Sequence, residues 1–104
     1  MKENLNKRDD VSYLQTVGRA LSILEMFGQE NTLSLPVIAN RLGVGKTIAY
    51  RLVHTLTAEG FLMQDPHTKL YSLGEQVLLL GFCTVQRQDV KRIAHDFLWN
   101  FHER

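Results

Sequence analysis

From Thr16 onward, polar and apolar positions alternate with a helical rhythm. Val17, Ala20, Leu21, Leu24 and Phe27 recur at i, i+3, i+4, i+7 and i+10, which makes one apolar stripe. Thr16 stands at the expected N-cap and Gly28 at the expected stop. Asn31-Thr32-Leu33 reads as a connection. Ser34 is the next N-cap, with Pro36 tolerated in the first turn that follows. Leu35, Ile38, Ala39 and Leu42 form a short stripe that ends at Gly43. The connection Gly43-Val44-Gly45 is too short for anything but a tight turn between helices. A third helix is predicted from about Lys46 to Glu59, with Ala49, Leu52, Val53 and Leu56 inward and Gly60 at its end. Two helices across a short glycine-containing turn make a helix-turn-helix.

The period then changes. Phe61-Leu62-Met63-Gln64 and Lys69-Leu70-Tyr71-Ser72-Leu73-Gly74 are short, apolar and aromatic, as hairpin strands are. Between them, Asp65-Pro66-His67-Thr68 suits a type I turn, with Asp first and Pro second. A helix-turn-helix followed by a β-hairpin is the winged-helix plan. After Gly74 the chain reads as helix again, in two pieces. Val77, Leu78, Leu79, Leu80, Phe82 and Val85 are apolar nearly all round the first piece. Val90, Ile93, Ala94, Phe97, Leu98 and Phe101 stripe the second, with Trp99 opposite. The expected fold class is mainly α with a small β-hairpin, a winged helix-turn-helix followed by a C-terminal linker helix. Residues 1–12 read as a flexible tail, 13–74 as the winged domain and 75–104 as the linker region.

Composition narrows the function. With 104 residues and 44% hydrophobic content the chain is one small domain with enough apolar material for a core. It lacks a secretory h-region, and Val77 to Cys83 is far shorter than the roughly 18 apolar residues a membrane span needs. The single cysteine, Cys83, cannot pair internally and is expected to be buried and inert. No metal site, cofactor or membrane partner is expected, and a cytoplasmic location is. His54, His67, His95 and His102 are scattered, and no carboxylate pair or phosphate loop appears, so an enzyme is not expected. Gly43-Val44-Gly45-Lys46-Thr47 lacks the preceding strand and the first glycine of a true phosphate loop.

A net charge of +1 says nothing by itself, but its distribution does. Between Glu30 and Glu59 there is no acidic residue, while Arg41, Lys46, Arg51 and His54 lie inside that stretch. Thr47, Tyr50, Arg51 and His54 share one face of the third helix, opposite Ala49, Leu52, Val53 and Leu56. A solvent-facing helix normally mixes Glu with Lys. This face offers donors, a phenol and a cation, with no carboxylate to repel phosphate. It reads as a recognition helix for the major groove of double-stranded DNA. Lys69 is the wing's candidate phosphate contact, Tyr71 is expected to pack the wing on the core, and Arg19 faces either solvent or the DNA backbone. The alternative is a winged-helix module for protein–protein contact, which would more often show apolar residues on that outer face.

Five stretches in order resemble the IclR family of bacterial transcriptional regulators: Val17-Gly18-Arg19-Ala20-Leu21-Ser22-Ile23-Leu24, Ile38-Ala39-Asn40-Arg41-Leu42-Gly43-Val44, Lys46-Thr47-Ile48-Ala49-Tyr50-Arg51-Leu52-Val53, Leu56-Thr57-Ala58-Glu59-Gly60-Phe61-Leu62 and Tyr71-Ser72-Leu73-Gly74. The resemblance runs from about Ser12 to Gly81. It implies that Lys46, Thr47, Tyr50 and Arg51 are the DNA-facing residues of the third helix. The chain departs from the family pattern at Gly45, where Ser or Pro is usual, and at Ile48, where a smaller polar residue is usual. The resemblance further implies a large effector-binding domain after the linker. The chain stops at Arg104, where that domain's first helix would be ending, so no small-molecule pocket is expected within these residues.

A helix that is apolar all round must be buried on more than one side. The winged domain can cover only one side of the linker helix, so a second copy is the expected cover for the other. Leu21 of the first helix and Leu79, Leu80 and Phe82 of the linker are the candidate dimer contacts. Such a homodimer would bind a palindromic operator, with higher-order assembly through the effector domain.

Overall fold

The computed structural model describes residues 9–86 and 92–96. Helix α1 spans Gln15–Met26, α2 Leu35–Leu42, α3 Lys46–Ala58, strand β1 Leu62–Gln64, β2 Tyr71–Leu73 and helix α4 Glu75–Val85. This is the winged helix-turn-helix with a trailing helix. Of the expected tail, residues 1–8 lie outside the described residues. Residues 10–13 form a turn, in which the Ser12 backbone N–H and hydroxyl both donate to Asp10 Oδ1, at 2.8 and 2.9 Å.

Helix α1 differs in detail from the pattern read along the chain. It starts one residue before Thr16, and Leu14 occupies the N-cap with no side-chain hydrogen bond. The stripe that meets the core is Ala20, Ile23, Leu24 and Phe27, with Ile23 and Phe27 buried and Ala20 and Leu24 half-buried, while Val17 and Leu21 are about half exposed. Leu21 sits about a third of a turn away from the centre of that stripe. Two apolar stripes therefore share one helix, and only one meets the core.

The helix-turn-helix follows from local chemistry. Ser34 is extended and its Oγ accepts from the Val37 N–H, so α2 is capped, with Pro36 in the first turn. At the other end Gly43 is left-handed, with φ 74°. Its N–H reaches the Ala39 carbonyl at 2.9 Å, and the Val44 N–H bonds the same carbonyl at 3.2 Å. A side chain at that φ would be strained, so glycine is what permits the turn. Ile38 and Ala39 of α2 then face Ala49, Leu52 and Val53 of α3, and all five are buried.

The wing is larger than a hairpin. Strands β1 and β2 pair antiparallel, Leu62 with Leu73 and Gln64 with Tyr71. Leu33, read above as mere connection, adds a third edge: its N–H and carbonyl bond the carbonyl and N–H of Tyr71 at 3.0 and 2.8 Å. Leu33 and Tyr71 are buried, so this bridge ties the wing to the helices. The turn also closes one residue later than a type I turn. The Asp65 carbonyl accepts from Lys69 N–H at 2.8 Å, and Lys69 takes φ 65°. Asp65 Oδ1 accepts from the His67 and Thr68 N–H groups at 2.7 and 3.0 Å, which holds the tip.

Helix α4 begins where the wing ends. The Gly74 N–H donates to Phe61 and the Gln76 N–H to Gly60, each to the carbonyl oxygen. No residue of α4 is buried; Leu78 is 73% exposed and Phe82 58%. Cys83 is exposed, contrary to the burial expected from its apolar neighbours, because nothing among the described residues covers this helix beyond its first turn. Residues 92–96 are helical, with Ile93 exposed. Val90, Phe97, Leu98, Trp99 and Phe101 lie outside the described residues.

Candidate nucleic-acid interface

Helix α3 presents its two faces as its periodicity requires. Ala49 and Val53 are fully buried and Leu52 nearly so, while Lys46, Thr47, Tyr50, Arg51 and His54 are all exposed. Gly45 is the N-cap, extended at φ −71° and ψ 164°, and brings no side-chain hydrogen bond to the first turn. The open N-terminus leaves backbone N–H groups and the positive end of the helix dipole beside Lys46 and Thr47. Lys46 and Arg51 have no acidic partner among the described residues. Tyr50 and His54 are one turn apart, and their rings stack with centroids 5.5 Å apart and 18° between planes.

Arg41 is held differently. Its guanidinium forms a two-pronged ion pair with Glu30, from the loop after α1, with Nη2 donating to Oε1 at 3.0 Å and Nη1 pairing with Oε2. That hydrogen bonding holds the Glu30 carboxyl below its usual range and raises the Arg41 pKa. The acid that borders the acid-free stretch thus folds back onto its first cation. Separation in sequence hid this, since the partners are eleven positions apart.

Arg19, undecided from sequence, has a definite place. With Thr16 of α1 it lines a concavity of about 310 Å³ whose other wall is Ile48, Arg51, Leu52 and Thr55 of α3. Two arginines and two threonines therefore meet in one hollow, and no acidic residue lines it. Only the packing of α1 against α3 brings them together.

On the wing, Lys69 is exposed at the tip, and its carbonyl accepts from Gln64 Nε2 at 3.1 Å. Tyr71 is buried as its role in packing requires. Burial, and then the nearby Tyr50, push its phenol above the ordinary value. Leu21, Leu79, Leu80 and Phe82 are each at least half exposed. Among the described residues no group of His, Cys, Asp or Glu could hold a metal ion, and no helix is long and apolar enough to cross a membrane.

A family model, the IclR helix-turn-helix domain, matches residues 16–66. The chain is 39% identical over 69 residues to a glycerol operon regulatory protein of Streptomyces griseus, covering 65% of this chain and 27% of that protein. It is 30% identical over 92 residues to the HTH-type transcriptional regulator XynR of Escherichia coli, covering 88% of this chain and 36% of that protein. Among solved structures, an IclR family transcriptional regulator from Brucella abortus superposes with a TM-score of 0.70 at 32% identity. That match covers 85% of this chain and 34% of the other. The chain spans about a third of the length of these relatives. All of them are regulators, and none is named as an enzyme. The chain belongs to the IclR family, and residues 16–66 are its helix-turn-helix domain.

Proposed function

We propose that this chain binds double-stranded DNA sequence-specifically, as the DNA-binding module of a transcriptional regulator. The observation that carries the reading is α3: one face packs into the core, and the other offers Lys46, Thr47, Tyr50, Arg51 and His54 without an acid. In this reading α3 lies in the major groove and its side chains meet base edges. Lys69 holds phosphate from the wing. The hollow shared by Arg19 and Arg51 faces the sugar–phosphate backbone beside the groove, where paired guanidiniums suit phosphate. Arg41, braced by Glu30, contributes less free charge than its neighbours. Residues 13–74 are the binding unit and α4 the start of a linker. The module works by binding rather than by catalysis, in the bacterial cytoplasm beside the genome.

The exposed apolar residues of α4, with Leu21 of α1, support a homodimer on a palindromic operator. Two-fold symmetry sets half-sites about one helical turn apart, or a multiple of it. The protein–protein alternative is not favoured, because the outer face of α3 is polar. Selection of bound sequences from random duplex DNA tests the reading. A recovered consensus with two inverted half-sites supports it, and recovery of unenriched sequence overturns it.

A further inference from the structure

Tyr50 and His54 differ from the other exposed residues of α3. Lys46, Thr47 and Arg51 extend into solvent with no ring or charged partner among the described residues, whereas Tyr50 and His54 are already bound to each other. Their positions, four apart on a helix, place one ring directly above the other. The separation of 5.5 Å and the 18° angle are those of an offset stack. An exposed tyrosine normally samples several rotamers. Here the ring is braced along the helix by an imidazole, although it is still 50% exposed.

We propose that His54 is a positioning residue: its stack fixes the Tyr50 ring, so that the Tyr50 phenol and ring edge select one base pair in the major groove. This rests on the DNA-binding reading above and assigns a division of labour within it. A side chain held in its bound rotamer before contact avoids the ordering loss that a free one suffers on binding. Selectivity gains for the same reason: a fixed phenol meets the donor and acceptor pattern of one base-pair edge, while a mobile one adapts to several. His54 does this through its ring plane. It therefore needs neither charge nor a contact with DNA, and an aromatic hydrocarbon ring can replace it.

The test uses the full chain and four proteins: wild type, Tyr50→Ala, His54→Ala and His54→Phe. Each selects from the same random duplex pool, and each has its salt dependence measured on the wild-type consensus. His54 is exposed, so thermal melts of its variants should match wild type. His54→Ala is expected to erase the base preference at the one position that Tyr50→Ala erases, with an affinity loss of about two- to tenfold. His54→Phe should retain that preference, and neither His54 variant should change the slope of log K against log salt. In the free protein, side-chain three-bond couplings should show Tyr50 in one χ1 rotamer in wild type and His54→Phe, and averaged in His54→Ala. A lower salt slope in His54→Ala makes His54 a phosphate contact and overturns the proposal. So does loss of preference at a different base pair, or loss in His54→Phe as complete as in His54→Ala. If the wild type itself selects no sequence, the DNA-binding reading fails, and this assignment fails with it.

Discussion

Helices α3 and α4 are of similar length and both carry many apolar residues, yet they meet opposite fates. In α3 the apolar residues recur at Ala49, Leu52 and Val53, and all three vanish into a core shared with Ile23, Ile38, Leu62 and Tyr71. In α4, Leu78, Leu79, Leu80, Phe82 and Val85 surround the axis, and none is buried. What separates the two is how the apolar residues are spaced as well as how many there are: α3 keeps a polar face, and α4, the more apolar helix, keeps none. An apolar stripe beside a polar face can satisfy both core and solvent within one chain. A helix that is apolar all round has no face to give to water, so it marks surface kept for something else.

This contrast can be broken first by substitution on each side of it. Ile38 is fully buried between α2 and the core, and Ile38→Ala should cost about 2–5 kcal/mol of unfolding free energy by chemical denaturation. Leu79→Glu with Leu80→Glu should change the stability of the monomer by no more than about 0.5 kcal/mol, since both side chains already face solvent. On a palindromic duplex the same pair should convert dimer binding to monomer binding in sedimentation. A large stability loss from the double variant would mean that α4 is covered within its own chain.

The junction between the two regions comes next. A Cβ on Gly74 would lie 2.3 Å from the Gly60 carbonyl oxygen and 3.1 Å from the Leu62 nitrogen, both backbone atoms. Gly74 has an ordinary φ of −90°, so the conflict is one of space rather than torsion. Gly74→Ala should destabilise the protein by about 1–3 kcal/mol and loosen α4 from the wing. Unchanged melting would show that the Phe61 and Gly60 bonds to the start of α4 are dispensable.

Smaller effects sharpen the account of α3 and the wing. A Cβ on Gly45 would meet nothing within 4 Å, and its backbone is already extended, so Gly45→Ser should gain a capping oxygen without strain. The expected gain is a few tenths of a kcal/mol, read as a small rise in melting temperature. At the wing tip, the N–H groups of Thr68 and His67 hold the Asp65 carboxyl below its ordinary value. Its folded pKa lies below its unfolded one, so this turn is stabilised above the unfolded pKa and released as pH falls through the folded one. In an acid titration by NMR, the His67 and Thr68 amides should move together while Ile38 stays fixed.

The parts of the fold that were legible in sequence are those decided by neighbours in the chain. Ser34, Pro36 and Gly43 announce α2 and its turn because capping and a left-handed φ are local matters. The polar face of α3 was legible because one period sets both faces. Three features were not. Leu33 pairs with Tyr71 through backbone groups, which carry no residue code, across a long separation. The stripe read along α1 took in Val17 and Leu21 and passed over Ile23, which is fully buried, because only the position of the core decides which side of the helix it covers. Cys83 sits in an apolar run, and the reading of burial from such a run fails where nothing covers the helix. Within the site, the residues of α3 were legible and their partnerships were not: the Glu30 hold on Arg41, the stack of Tyr50 on His54 and the meeting of Arg19 with Arg51 all arise from packing.

The central claim is that the outer face of α3 reads DNA, and Arg51 stands in the middle of it. The most direct measurement is the affinity of Arg51→Ala against wild type, on the selected consensus and on a scrambled duplex of the same composition. The account predicts a loss of about 1–3 kcal/mol on the consensus and little on the scrambled duplex if Arg51 reads a base. A similar loss on both would make it a phosphate contact from the same face. Unchanged affinity on both duplexes would contradict the assignment of α3 as the recognition helix.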